Sequence, residues 1–204
     1  DEGVAVVESS GGNPTPYISR LKEAGVKTIH KVAIVRHAQI GEKAGADIIA
    51  IVGTEAGGHP PPDDVTSLIL IPLVVDAVKA PVVAGGGFCD GRSFVAALAL
   101  GAEGVLMGTR FVATKECIAH PKVKDWIVNA KESDTMIIQR SIRSPTRVAR
   151  NAPAEKTLEM EMKGASLQEL LPVIGGERGR SAWSDGDINA GVISVGMVVG
   201  RINE

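Results

Sequence analysis

Aromatic side chains are scarce, with two Trp, one Tyr and three Phe among 204 residues, so the apolar 44% of the chain is almost wholly aliphatic. An excess of positive charge is also missing. The 22 basic residues face 24 acidic ones, a net charge of −2 that leaves no cationic footprint for nucleic acid. The only cysteines, Cys89 and Cys117, are too few for a disulfide framework or a zinc site, which fits a reducing compartment and predicts a cytoplasmic protein. No His/Asp/Glu cluster has metal-ligand spacing, so no metal is expected. No apolar run approaches the ~18–20 residues of a membrane helix. The longest, 67–78, is broken by Pro72 and Asp76. The opening Asp1-Glu2-Gly3 has neither a methionine nor a basic leader, and predicts a natural N-terminus further upstream.

What the chain does have is glycine, 24 residues of it, set among Val, Ile and Ala. Apolar runs at 4–7, 28–32, 47–52, 81–84 and 104–107 read as strands. Helical patterns at 14–24, 35–44, 66–79 and 91–100 lie between them, three of them stopped by Gly25, Gly45 and Gly101. This alternation predicts an α/β protein with parallel strands, either doubly wound or of (β/α)8 TIM-barrel type. The strands are continuously apolar, as expected when both faces are covered. Beyond residue 114 the rhythm changes: 121–130, 156–162 and 166–171 read as helices, with four arginines from Arg140 to Arg150 between them. The predicted organisation is a barrel segment over 1–114, a smaller, mostly helical subdomain over 115–187 laid over the barrel mouth, and a segment over 188–204 that returns to the barrel.

The unusual residues fall at the carboxyl ends of the strands, where both fold types place ligands. Gly85, Gly86 and Gly87 follow one strand and precede a helix, and Gly108 and Thr109 follow the next. Glycines there bring backbone N–H groups close to an anion, and a helix N-terminus adds a favourable dipole, so the pair predicts a phosphate grip. Neither turn has the spacing of a Walker motif or of a GxGxxG fingerprint. His59 follows Gly57 and Gly58 on another strand-end turn, where a histidine can move a proton near neutral pH. Ser10, Gly11 and Gly12 form a small polar turn that serves equally as a ligand donor or a plain strand-to-helix cap. Lys31 sits within an apolar strand, where it can stabilise negative charge. His30, on the opposite side by alternation, reads as structural. His37 and His120 read as ordinary helix and loop residues, and the arginines from Arg140 to Arg150 as a solvated face.

Taken together, VVESSGG, IHKVAIVRHA, EAGGHPPPDD and PVVAGGGFCDGRSFVAALALGAEGVLMGTRFVAT resemble the nitronate monooxygenases. The resemblance continues through HPKVKDWIVNA, RSIRSPTRVARN and LLPVIGGERGR to GVISVGMVVG, essentially the whole chain. It implies an FMN-dependent (β/α)8 barrel, incomplete here at about five of eight strand–helix units, with 115–187 as a helical substrate or lid subdomain. It also implies oxidation of alkyl nitronates, or the parent nitroalkanes, by dioxygen to a carbonyl compound and nitrite. On the matching motifs, His59 is the catalytic residue. Gly85, Gly86, Gly87, Gly108 and Thr109 hold the FMN phosphate, and Ser10, Gly11, Gly12, Lys31, Gly57 and Gly58 lie near the flavin. Many relatives have Gly-Gln where this chain has Gly196-Met197. Two other readings stay open: a flavin-dependent enoyl thioester reductase using NAD(P)H, and an inactive barrel fragment that needs a partner. Small-molecule partners are expected, without nucleic acid or membrane, and assembly into an oligomer is left open.

Overall fold

The structure is a computed structural model and describes residues 3–203. The chain forms two compact units. One comprises Asp1–Thr54 and Asp63–Leu106, the other Glu55–Pro62 and Met107–Glu204.

The first unit is a five-stranded parallel sheet, β1 (Val6–Ser10), β2 (Lys27–Val32), β3 (Ile48–Val52), β4 (Val82–Gly85) and β5 (Gly104–Leu106). Four helices connect the strands: α1 (Thr15–Glu23), α2 (Val35–Ala44), α3 (Ser67–Ala77) and α4 (Gly91–Ala99). Spatial order follows chain order throughout. A doubly wound sheet reverses its order at a switch point, so the sequential arrangement is that of a (β/α)8 barrel, of which five strands are present.

Register explains the burial. His30, Ile49 and Val82 are aligned across three strands and almost wholly buried. The next row, Ser10, Lys31, Ala50, Val83 and Gly104, lies on the opposite face. Helix packing requires small residues: a Cβ on Gly41 of α2 would stand 2.6 Å from the His30 ring and 3.2 Å from Ile49. Ile18, Ala38, Ile51, Leu70, Ile71, Val74, Ala84 and Ala97 complete this core.

The first strand differs from expectation. Val6–Ser10 is the paired segment, so Ser9 and Ser10 belong to the strand and not to the turn after it. Parallel pairing with Lys27–Lys31 carries the backbone past the apolar residues, and tertiary pairing outweighs local propensity.

The second unit contains α5 (Thr109–Val112), α6 (Pro121–Asn129), β6 (Thr135–Ile138), β7 (Thr146–Ala149), α7 (Ala152–Met162), α8 (Leu167–Ile174), α9 (Gly176–Asp185) and a 3₁₀ turn at Met197–Arg201. Ser166 and Glu169 form the capping box that starts α8. His120 caps α6 by accepting the Lys122 N–H. β6 and β7 make an antiparallel hairpin, and β7 lies inside the stretch read as a solvated arginine face. Arg147 corrects that reading. It is only 8% exposed, and its Nη1 donates to Thr135 Oγ1 at 3.1 Å, so the guanidinium is buried with a partner. Met136, Ile138, Val148 and Ala154 form the core beneath the hairpin, joined by Ile174 and Val192.

Among the described residues no helix is long and apolar enough to cross a membrane.

Candidate functional site

His59 lies in the second unit, exposed on a turn whose backbone is held from two sides. Gly58 pairs with Arg147 of β7 as an antiparallel bridge: the Gly58 N–H donates to the Arg147 carbonyl at 3.0 Å, and the Arg147 N–H donates back at 2.6 Å. On the other side the Met197 N–H donates to the Glu55 carbonyl at 3.0 Å. The approach is so close that a Cβ on Gly57 would meet the Val195 carbonyl carbon at 2.6 Å and the Gly196 nitrogen at 2.8 Å. The Gly-Gly pair is therefore used for backbone packing at Gly57 and for a left-handed φ of +78° at Gly58. A Cβ on Gly58 would meet nothing within 4 Å, so that side of the turn is open.

Thr109 belongs to the same assembly. Its buried hydroxyl accepts the Gly196 N–H at 2.9 Å, and Gly196 would collide with the Glu55 carbonyl if it carried a side chain. Gly57, Gly58, His59 and Thr109 are thus brought together through residues 195–197. Arg147, Val195 and Gly196 are the members that reading the sequence missed. Arg147 looked like surface charge, and Val195 and Gly196 like one more glycine-spaced apolar run. Gly108 is the N-cap of α5, has no side-chain cap, and faces open space where a Cβ would stand. The side chain of Met197 is partly exposed.

Ser10, Gly11, Gly12, Lys31, Gly85, Gly86 and Gly87 lie in the first unit. Ser10 and Lys31 are register partners at the carboxyl ends of β1 and β2. The Lys31 ammonium is held by Glu8 at 2.8 Å, a half-exposed ion pair within the sheet. His30, on the other face, is buried with its Nδ1 2.9 Å from Ser9 Oγ. Desolvation holds its pKa below the ordinary value, against the hydrogen bond to Ser9, so the ring is a neutral structural group.

At the end of β4, Ser67 Oγ donates to the carbonyls of Gly85 (3.1 Å) and Gly86 (2.6 Å). Gly85 and Gly86 are close-packed: added Cβ atoms would stand 2.8 Å from Val52 and 3.0 Å from Gly53 and Ser67. Gly87, with φ +88°, makes no hydrogen bond among the described residues. The N-terminus of α4 already has a negative partner. Its first turn is already capped by the Asp90 carboxylate, which accepts the Ser93 N–H at 2.8 Å within a reciprocal capping box.

Taken unit by unit, the turns have two features that suit a phosphate-bearing planar ligand. Gly11, Gly12 and Gly87 present backbone groups without partners among the described residues. Gly11, Gly12, Gly58 and Gly108 leave clear space where any other residue would place a Cβ. No group of three metal-ligating side chains occurs among the described residues.

The nitronate monooxygenase family model matches residues 1–204. The chain belongs to the nitronate monooxygenase family. It is 44% identical over 128 residues to a probable nitronate monooxygenase of Staphylococcus aureus (strain JH9), a match covering 59% of this chain and 36% of that protein. Among solved structures it is similar to FabK from Thermotoga maritima, at 42% identity and a TM-score of 0.94, covering 100% of this chain and 64% of that one. It is also similar to nitroalkane oxidase from Streptomyces ansochromogenes, at 27% identity and a TM-score of 0.80, covering 98% of this chain and 60% of that one. This member of the family therefore spans about a third of the curated relative it matches and under two thirds of the solved ones.

Proposed function

We propose that this chain carries the proton-handling residue and much of the cofactor grip of an FMN-dependent enzyme that oxidises alkyl nitronates with dioxygen to carbonyl compound and nitrite. The observation that carries this reading is the His59 turn, exposed at its histidine and pinned by Arg147 and by residues 195–197. A base for proton transfer needs a fixed position and access to its substrate, and this turn supplies both. Bound FMN would supply the redox step. The amides of Gly85, Gly86, Gly87 and Gly108, with the Thr109 hydroxyl, would hold its phosphate. Gly11, Gly12 and Gly58 would admit its ring against bare backbone, with Ser10 and Gly57 beside them. Lys31, balanced by Glu8, would contribute positive charge beside it. His59 takes the α-proton from a neutral nitroalkane or donates a hydrogen bond to the nitronate oxygens. Residues 115–187 would bound the substrate, and 188–204 would return to the barrel. The enzyme would act on small molecules in the cytoplasm.

The identity to FabK, 42% against 27% to nitroalkane oxidase, favours a second reading on the same turns: reduction of an enoyl thioester by NAD(P)H. Both are tested on the natural full-length protein. Flavin absorbance with oxygen uptake on an alkyl nitronate supports the first. His59→Asn should then keep its flavin and lose turnover of neutral nitroalkanes before that of nitronates. Anaerobic bleaching of the flavin by NAD(P)H, reversed by an enoyl thioester, supports the second. A flavin-free protein without oxygen uptake overturns the first.

A further inference from the structure

The second unit contains a surface pocket, open to solvent, that the proposed flavin and nitronate chemistry does not use. Its walls are joined by polar bonds, those of Asn151 buried or partly buried and those of Asn189 and Arg178 at the surface. Asn151, 6% exposed, donates from Nδ2 to the carbonyls of Ile188 (2.6 Å) and Gly191 (2.9 Å), and its Oδ1 accepts the Ala154 N–H at 3.0 Å. Asn189 Oδ1 accepts the Ala152 N–H at 3.2 Å. Arg178 donates from Nε to the Ala190 carbonyl and from Nη1 to the Pro172 carbonyl, both at 3.0 Å. The start of α7, the end of α8, the first turn of α9 and the loop 187–191 are thereby fixed around one space. That space measures about 220 Å³ and is lined by Ala152, Pro153, Lys156, Val173, Arg178 and Asn189.

Two of these lining residues are cations and none is an acid. Lys156 makes no hydrogen bond or ion pair among the described residues. A guanidinium has five N–H donors, and the two spent on carbonyls fix the orientation of Arg178 and leave the rest for a ligand. The nearest carboxylates in sequence, Glu155, Glu177 and Asp187, are outside the lining, and Asp187 Oδ1 is engaged by the Asn189 N–H at 2.9 Å. The remaining wall, Ala152, Pro153 and Val173, is apolar.

We propose that this pocket binds a small organic phosphate monoester. Lys156 and Arg178 match the charge of the phosphate, and the planar guanidinium suits two of its oxygens. The Asn189 amide adds a neutral donor, and the apolar wall takes the carbon part of the ester. The volume is below the ~300–1,000 Å³ of pockets for drug-sized ligands, so that carbon part is short or a single ring.

The test is calorimetric titration of the natural full-length protein with phenyl phosphate, its flavin content being read first by absorbance. Saturable binding with Kd below about 1 mM is expected. Lys156→Gln, which breaks no bond within the fold, should weaken it roughly tenfold or more and leave flavin content unchanged. Arg178→Lys should weaken it again without removing the charge, because the planar fork is lost. Phenol or inorganic phosphate binding as tightly as phenyl phosphate overturns the monoester assignment. No saturable binding, or equal affinity in Lys156→Gln, overturns the site. A protein without flavin that still binds phenyl phosphate through Lys156 supports the site and counts only against the flavin reading.

Discussion

Gly58 and Arg147 exchange both of their backbone hydrogen bonds, and so attach the histidine turn to a hairpin strand far along the chain. The turn is thus an added strand edge and not a loose loop. Two neighbouring glycines in it carry different constraints. Gly57→Ala drives a Cβ into the backbone at Val195 and Gly196, which cannot yield as a side chain can. It should cost about 2–3 kcal/mol. Gly58→Ala meets open space but must hold a left-handed φ, at about 1–2 kcal/mol. Thermal unfolding of the two variants should show that order. Nitronate turnover in Gly57→Ala should fall further than in Gly58→Ala, because only the former displaces the backbone that carries His59.

A similar close approach holds α2 to the sheet. A Cβ on Gly41 would stand 2.6 Å from the His30 ring. Alanine improves helix propensity by about 1 kcal/mol, but overpacking against a buried ring costs about 1–3 kcal/mol. Gly41→Ala should therefore destabilise the protein on balance. In a His30→Ala background the same change should cost much less, so the pair is non-additive in a double-mutant cycle. Additive losses would mean that the ring does not fill the gap at Gly41.

Acid should unfold the first unit in two stages. Burial keeps the folded-state pKa of His30 below the ordinary value of about 6.5, so the unfolded chain takes up the proton first. Its contribution is whole above that pH and is lost as pH falls through the unfolded value toward the folded one. Asp47 acts lower. The Thr28 N–H at 2.9 Å, then the Lys27 ammonium at 3.1 Å, hold its carboxyl at about 2. That contribution is whole above the ordinary carboxylate range and disappears as pH falls through about 2. Urea midpoints against pH should lose the upper stage in His30→Gln and the lower stage in Asp47→Asn. An unchanged profile in either variant would clear that residue of its share.

Much of this was legible in the sequence, for physical reasons. Ile48–Val52 is buried on both faces, and such strands are written as unbroken apolar runs that a reader can find. The glycine turns after strands were legible too, since few other roles require them there. The β6–β7 hairpin was not, because each strand is four residues long and Arg147 reads as surface charge until Thr135 is seen beside it. Helix α9 was hidden by its Gly and Ser content, yet those small residues are what bring it close: a Cβ on Gly179 would stand 3.0 Å from the Val192 carbonyl. In the candidate site the histidine was visible. Its supports, Arg147 and residues 195–197, are remote in sequence, and local pattern carries no trace of such pairings.

The last consequence joins the hairpin to the site. Thr135 is 7% exposed, and its hydroxyl accepts a hydrogen bond from the Arg147 guanidinium at 3.1 Å. Thr135→Val keeps the shape and removes the acceptor from a buried charged donor, at about 1.5–3 kcal/mol. Thr135→Ser keeps the hydroxyl and should cost under about 1 kcal/mol. Because the Arg147 backbone is also the ladder partner of Gly58, the Gly58 amide should lose protection with the side chain. Hydrogen exchange at Gly58 should quicken in Thr135→Val about tenfold for each 1.4 kcal/mol lost, and hardly change in Thr135→Ser. An exchange rate at Gly58 that ignores Thr135→Val would show that the turn keeps its register without help from the buried side-chain bond.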